Sequence, residues 1–181
     1  MATQNPKLAR VFAYRVRKVL SSRQCKRLLR KVPPGFEHKA VAPEIERYLN
    51  AFIKGGTTEK VHQPALFDWE GRDRGKEPCD RYYEVLGSRS YPDAAVLSPF
   101  RCAFEFDREP KKSGSSFKDA LMKAAVHVLS GAYEACVLAY ILPARSKRPR
   151  YLARQSEFTR RLIKRFQAVG LYVTFIRKAP G

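Results

Sequence analysis

The chain has 181 residues, 44% of them apolar, with 36 Lys or Arg against 17 Asp or Glu and a formal charge of +19. Length and apolar content suit one folded domain and exclude a disordered polyelectrolyte, while the charge makes a polyanion the expected partner, nucleic acid first. No run approaches the roughly 18 apolar residues of a transmembrane helix and no hydrophobic signal core follows the N-terminus, so a cytoplasmic protein is expected, nucleoid-associated or nuclear according to the cell.

Residues 1 to 36 hold ten Lys or Arg and no acid. Leu8, Phe12, Val16, Val19 and Leu20 recur at helical spacing, and a second short helix is expected after Ser21-Ser22, with Cys25, Leu28 and Leu29 as its apolar stripe. An organelle transit peptide has the same character, but basic residues keep recurring through the rest of the chain. Pro33-Pro34-Gly35 closes this unit, so residues 1–42 are expected to form a basic helical N-terminal extension. The next helix is predicted from Pro43 to Lys54, with Ile45, Tyr48, Leu49 and Phe52 on one face and Gly55-Gly56 at its end. Lys60 to Trp69 is strand-like, and Gly71 to Asp80 is a charged loop. Arg81 to Leu86 and Ser90 to Leu97 supply strand material broken near Gly87, followed by a strand from Phe100 to Asp107.

The last two of these strands meet at Ser98-Pro99 and should fold back as an antiparallel hairpin. A hairpin centred on Pro99 sets Asp93 opposite Glu105, with Asp107 on the Glu105 face. Opposed like charges repel unless something positive sits between them, and a hard cation such as Mg²⁺, with Mn²⁺ as a substitute, suits two carboxylates. Singly, Asp93 reads as a turn-adjacent surface aspartate and Glu105 as a solvated strand residue. Opposed across a hairpin whose other face (Cys102, Phe104, Phe106) is apolar, they read as a metal site.

Arg108 to Ser116 is a polar loop, and Ser116 opens a helix expected to reach Leu129. Phe117, Leu121, Ala125 and Val128 form its apolar arc, which places Lys118 inside the arc, Lys123 on roughly the opposite side, and His127 as a surface histidine. Ala135 to Leu142 is a continuous apolar run of buried-strand length, reached through a helical crossover. Ala144 to Tyr151 is a basic linker, Ser156 to Ala168 a basic amphipathic helix, and Leu171 to Ile176 a last strand. Arg145, Lys147, Arg148, Arg150, Arg154, Arg160, Arg161, Lys164 and Arg165 face the single acid Glu157 in the C-terminal stretch and are the expected nucleic-acid-binding residues. Tyr14 and Tyr151 stand among basic groups, where a ring can stack on a base. Cys25, Cys79, Cys102 and Cys136 are widely spaced, without a C-x-x-C pair, and signal neither zinc nor a disulfide framework.

The order of helix, strands, carboxylate hairpin, helix and buried strand over residues 43–142 resembles the core of the PD-(D/E)XK nuclease superfamily. Pro92-Asp93 matches its PD element, and Glu105-Phe106-Asp107 stands where its D/E-x-K element belongs. The resemblance implies an α/β, restriction-endonuclease-like core, a mixed central sheet flanked by helices, completed by residues 143–181 as a C-terminal helix and strand. It further implies a Mg²⁺-dependent DNA endonuclease in which Asp93, Glu105 and the Phe106 carbonyl hold the metal, Glu46 adds an outer contact, and a homodimer cuts both strands. Asp107 replaces the usual lysine. Either this carboxylate orients the water or binds a second metal, or a helix lysine, Lys118 ahead of Lys123, substitutes. Two other readings remain open: a non-catalytic nucleic-acid-binding protein that keeps the fold, and a basic RNA-binding protein of another α/β fold.

Overall fold

The computed structural model describes residues 5–30, 32–33, 35–55, 65–69, 83–108, 116–143 and 157–177. Helix α1 (Pro6–Leu20) starts where the Asn5 side chain accepts the Leu8 N–H at 3.0 Å, with Pro6 in the first turn where its missing donor costs nothing. The Ser22 hydroxyl plays a similar part for α2 (Arg23–Arg30), accepting the Cys25 N–H at 3.2 Å. Cys25 and Leu29 of α2 are buried, whereas Leu28 is exposed. Helix α3 spans Glu37–Lys54 and encloses Pro43 rather than beginning there. Its buried stripe of His38, Val41, Ala42, Ile45 and Leu49 runs continuously past the proline, and that burial outweighs one missing backbone bond.

Strands β1 (Leu66–Trp69), β4 (Ala94–Ser98), β5 (Cys102–Arg108), β6 (Ala135–Leu142) and β7 (Leu171–Arg177) form one mixed sheet in the order β1-β4-β5-β6-β7. Strand β4 is antiparallel to both neighbours, and β5, β6 and β7 are parallel. Helix α4 (Ser116–Leu129) connects β5 to β6 as the expected crossover, and α5 (Glu157–Ala168) precedes β7. Strands β2 (Tyr83–Val85) and β3 (Ser88–Ser90) make a separate hairpin. It turns at Leu86-Gly87, both at positive φ (51° and 72°), the requirement of a two-residue turn matched to strand twist.

Strand alternation divides the core. Ala135, Val137, Ala139 and Ile141 of β6 join Cys102 and Phe104 of β5 in one cluster with α1, α2 and α3. Cys136, Leu138, Tyr140 and Leu142 join Ala103, Ala120, Ala124 and Ala125 in a second, on the α4 face. Strand β6 is therefore buried along its whole length, as its unbroken apolar run implied. The architecture is α/β, a mixed five-stranded sheet between helical layers. Helix α1 belongs to this core. The Phe12 ring is fully buried, its centroid 5.1 Å from that of Phe100, 5.3 Å from Phe52, 5.7 Å from Tyr48 and 6.3 Å from Phe104. Phe12→Ala should therefore destabilise the whole fold by about 3–5 kcal/mol, seen as a lower midpoint of urea unfolding with an unchanged slope.

Candidate active site

Strands β4 and β5 pair with Ala94 opposite Phe104, Ala95 opposite Ala103 and Val96 opposite Cys102. This is the register centred on Pro99, and one step further it sets Asp93 opposite Glu105. Ala94 and Val96 pack toward α1 and α3, and Ala95 and Leu97 toward α4, so the same alternation carries Asp93 to the α4 face with Ala103, Glu105 and Asp107. Strand β4 begins only at Ala94, leaving the next β5 amide without a ladder partner. Asp93 takes its place: Oδ2 accepts the Phe106 N–H at 2.7 Å. The Phe106 carbonyl points to the same side of β5 as its N–H, beyond the end of β4.

Glu105 is 2% exposed, so its carboxylate depends on protein partners rather than water. Helix α4 provides two, one turn apart. Lys123 Nζ lies 2.7 Å from Oε2 and His127 Nε2 lies 2.6 Å from Oε1. His127 Nδ1 in turn lies 2.7 Å from the Tyr83 hydroxyl of β2. In a neutral imidazole whose Nε2–H donates to the carboxylate, Nδ1 is the acceptor for the phenol O–H. Burial raises the Tyr83 pKa above its ordinary value, against hydrogen bonds from Ser90 and Ser130, so the phenol keeps its proton.

Burial pulls the Lys123 ammonium down, but Glu105 beside it, together with Asp93 and Asp107, more than offsets that and leaves it above the usual lysine range. Its side chain is 57% exposed, so solvent reaches the carboxylate corner along the lysine. Burial likewise lifts the half-buried Asp107, against the N–H of Arg108, which Oδ1 accepts at 2.6 Å, and the charge of Lys123. On the opposite face Arg108 pairs with the buried Glu37 of α3 and donates from Nη2 to the Val32 carbonyl at 3.2 Å.

No family model, curated protein or solved structure matches the chain. The site therefore rests on its geometry, which revises two expectations. The lysine at Glu105 is Lys123, and Lys118 lies exposed on α4. His127 is not on the surface but fully buried. Both revisions share a cause: the face of α4 turned to the sheet includes Ala120, Ala124 and His127, rotated away from the Lys118 edge. Five residues at about 100° each separate Lys118 from Lys123 by about 140° around the helix. The run of small residues at 120 and 124, continued one turn to 127, was the signal for His127. Tyr83 had no comparable signal, because only the β2–β3 hairpin brings it there.

Among the described residues no three Asp, Glu, His or Cys side chains group as a metal-holding set. Glu46 is half-buried on α3, and the glutamate of that helix near Asp107 is Glu37. Burial pushes the Cys102 and Cys136 thiols up, which removes them as nucleophiles. Cys79, Tyr151, Arg145, Lys147, Arg148, Arg150 and Arg154 lie outside the described residues, as does the side chain of Arg160. Arg161, Lys164 and Arg165 are exposed on α5, with Arg161 paired to Glu157.

Asp107 offers a pH test. Folding raises its pKa, so its contribution to stability is full below the unfolded value of 3.8 and is lost as the pH rises through the raised folded value. Asp107→Asn stays neutral and should gain stability over the parent on going from about pH 3 to about pH 7. Urea midpoints of both proteins at the two pH values measure this, and an equal difference at both contradicts it.

Proposed function

We propose that the protein is a metal-dependent endonuclease that hydrolyses phosphodiester bonds in DNA, with Asp93, Glu105, Asp107 and Lys123 as its catalytic corner. The observation that carries the proposal is a cation already seated on Glu105 Oε2 and acted on by three acids, with its stem open to solvent. The donor set fits Mg²⁺ or Mn²⁺ because it consists of hard oxygens: the Asp93 and Glu105 carboxylates and the Phe106 carbonyl. Such an ion, when bound, supplies charge for the phosphate and acidity for a water. Lys123 is placed to accompany the scissile phosphate or orient the attacking water. Beside Glu105 its ammonium is a hydrogen-bond donor. Asp107, on the same face, is the residue placed to hold that water.

A DNA partner is favoured by the exposed basic residues of α1 and α2. Arg23, Arg27 and Arg30 recur at helical spacing, opposite Cys25 and Leu29, and all three are exposed. Arginine favours bidentate contact with phosphate. The chain beyond α2 is tied to the end of β5 through Arg108 and Val32, on the face of the sheet opposite Glu105.

The second reading is a nucleic-acid-binding protein without catalysis. It is favoured by the engagement of both Glu105 oxygens by protein donors. Cleavage of supercoiled plasmid, with single-stranded DNA and RNA as further substrates, decides in the presence of Mg²⁺, Mn²⁺ or EDTA. Asp93→Asn keeps the acceptor for the Phe106 amide while removing the charge, and Glu105→Gln is its counterpart. Each should lower metal-dependent cleavage by about 100-fold or more, Lys123→Ala by a similar factor, and Lys118→Ala by less than about twofold. Equal cleavage by parent, Asp93→Asn and Glu105→Gln sinks the site, and binding without cleavage of any substrate selects the second reading. Replacing Arg23, Arg27 and Arg30 by Ala should flatten the plot of log affinity against log salt by up to about three units, about one for each phosphate no longer neutralised. An unchanged slope would remove α2 from the interface.

A further inference from the structure

We infer that Tyr83 and His127 are positioning residues that hold Glu105 Oε1 permanently, so that Oε2 alone passes between Lys123 and a divalent cation. The inference rests on the metal site proposed above and adds to it the reason one carboxylate oxygen is available and the other is not. Glu105 has two partners of different character. His127 is fully buried, its ring within 5.7 Å of Tyr83 and 5.8 Å of Tyr133 between centroids, and both its nitrogens are engaged at 2.6 and 2.7 Å. Burial and these two hydrogen bonds together hold it on Oε1. Lys123 is 57% exposed on a flexible stem, and its Nζ can swing into water without opening the core.

The direction of the hydrogen bonds follows from the inventory of donors. A carboxylate only accepts, so Nε2 carries the proton toward Glu105; in the neutral ring Nδ1 then accepts, and the Tyr83 O–H is its donor. Tyr83 keeps that proton because burial raises its pKa. The carboxylate thus selects the imidazole tautomer, the phenol supports it by donating to Nδ1, and the imidazole sets the plane of the carboxylate. With Oε1 held, the remaining lone pairs of Glu105 face Lys123 and the corner shared with Asp93 and Asp107. Outer partners that orient a ligating carboxylate in this way govern metal affinity.

Mn²⁺ titration by calorimetry on the full chain, paired with long-range ¹H–¹⁵N spectra of the histidine rings in metal-free protein, tests the inference. His127→Leu removes the donor, His127→Gln restores an N–H at the Nε2 position, and Tyr83→Phe removes only the hydrogen bond at Nδ1. Mn²⁺ affinity should fall about 10- to 100-fold in His127→Leu and recover most of that loss in His127→Gln. The spectra should show the Nε2–H tautomer in the parent and in Tyr83→Phe, with the Nδ1 resonance shifted in the variant by loss of the phenol hydrogen bond. Near-UV circular dichroism reports folding. If His127→Leu does not fold, the volume-conserving Tyr83→Phe carries the test through its shifted Nδ1 resonance and weaker Mn²⁺ binding. An Nδ1–H tautomer in the parent, unchanged affinity in folded His127→Leu, or a Gln variant as weak as Leu would each overturn the inference. A parent that binds no Mn²⁺, with the Nε2–H tautomer present, would instead overturn the metal reading and leave His127 and Tyr83 orienting Glu105 for Lys123 alone.

Discussion

A glutamate carboxylate buried to 2% exposure is the constraint around which this molecule is arranged. An unpaired charge in such a place costs several kcal/mol, and a cavity of apolar side chains cannot supply compensation. Helix α4 meets that demand because Lys123 and His127 stand one turn apart on a helix that sits close to the sheet. The close approach depends on small side chains on both surfaces: Ala95 and Ala103 on the strands, Ala120, Ala124 and Ala125 on the helix. A larger residue at any of these would lift α4 and strand the carboxylate. Packing and electrostatics at this corner are therefore one requirement, not two.

The end of β5 carries a second acid-base pair on the opposite face, and the contrast between the two is informative. Alternation sends Arg108 toward α3, where it meets the buried Glu37 and also reaches the Val32 carbonyl. Arginine presents a planar fork that several acceptors hold at once, whereas lysine presents a single rotatable ammonium. The Glu37 pair is therefore suited to fasten α3 and the segment after α2 to the sheet. The Glu105 pair, with a half-exposed lysine, is suited to exchange. Two chemically similar ion pairs a few residues apart thus take different work from the choice of cation.

Much of this was legible in the sequence where one periodicity dominated. The unbroken apolar run of β6 implied a strand covered on both faces, and the helix from Ser116 to Leu129 followed from its period and the polar loop before it. The symmetry of the hairpin about Pro99 placed Asp93 against Glu105 without any structural information. Legibility failed where a face had to be centred to within one residue. Phe117, Leu121, Ala125 and Val128 define an arc, but so do Phe117, Ala120, Ala124 and His127, and hydrophobicity alone favours the first. Alanines carry little apolar weight, yet they mark where a helix comes closest to its sheet. The start of α3 failed for a different reason: Pro43 reads as a beginning, and only the tertiary burial of His38 and Val41 carries the helix back through it.

Asp93 shows why such a corner arises at the end of a strand pair. Where β4 starts and β5 continues, β5 presents a backbone N–H and carbonyl with no ladder partner, and a buried amide left so would cost as much as a broken hydrogen bond. Asp93 Oδ2 takes the Phe106 amide and so completes the sheet. That bond fixes the aspartate beside Glu105 as a consequence of satisfying the backbone, before any ligand is considered. A charge placed by a structural demand is held without a separate cost in side-chain entropy. The sheet's own termination therefore draws the first acid into place, the burial of the second requires a cation, and the exposed lysine that answers it keeps the corner open to solvent.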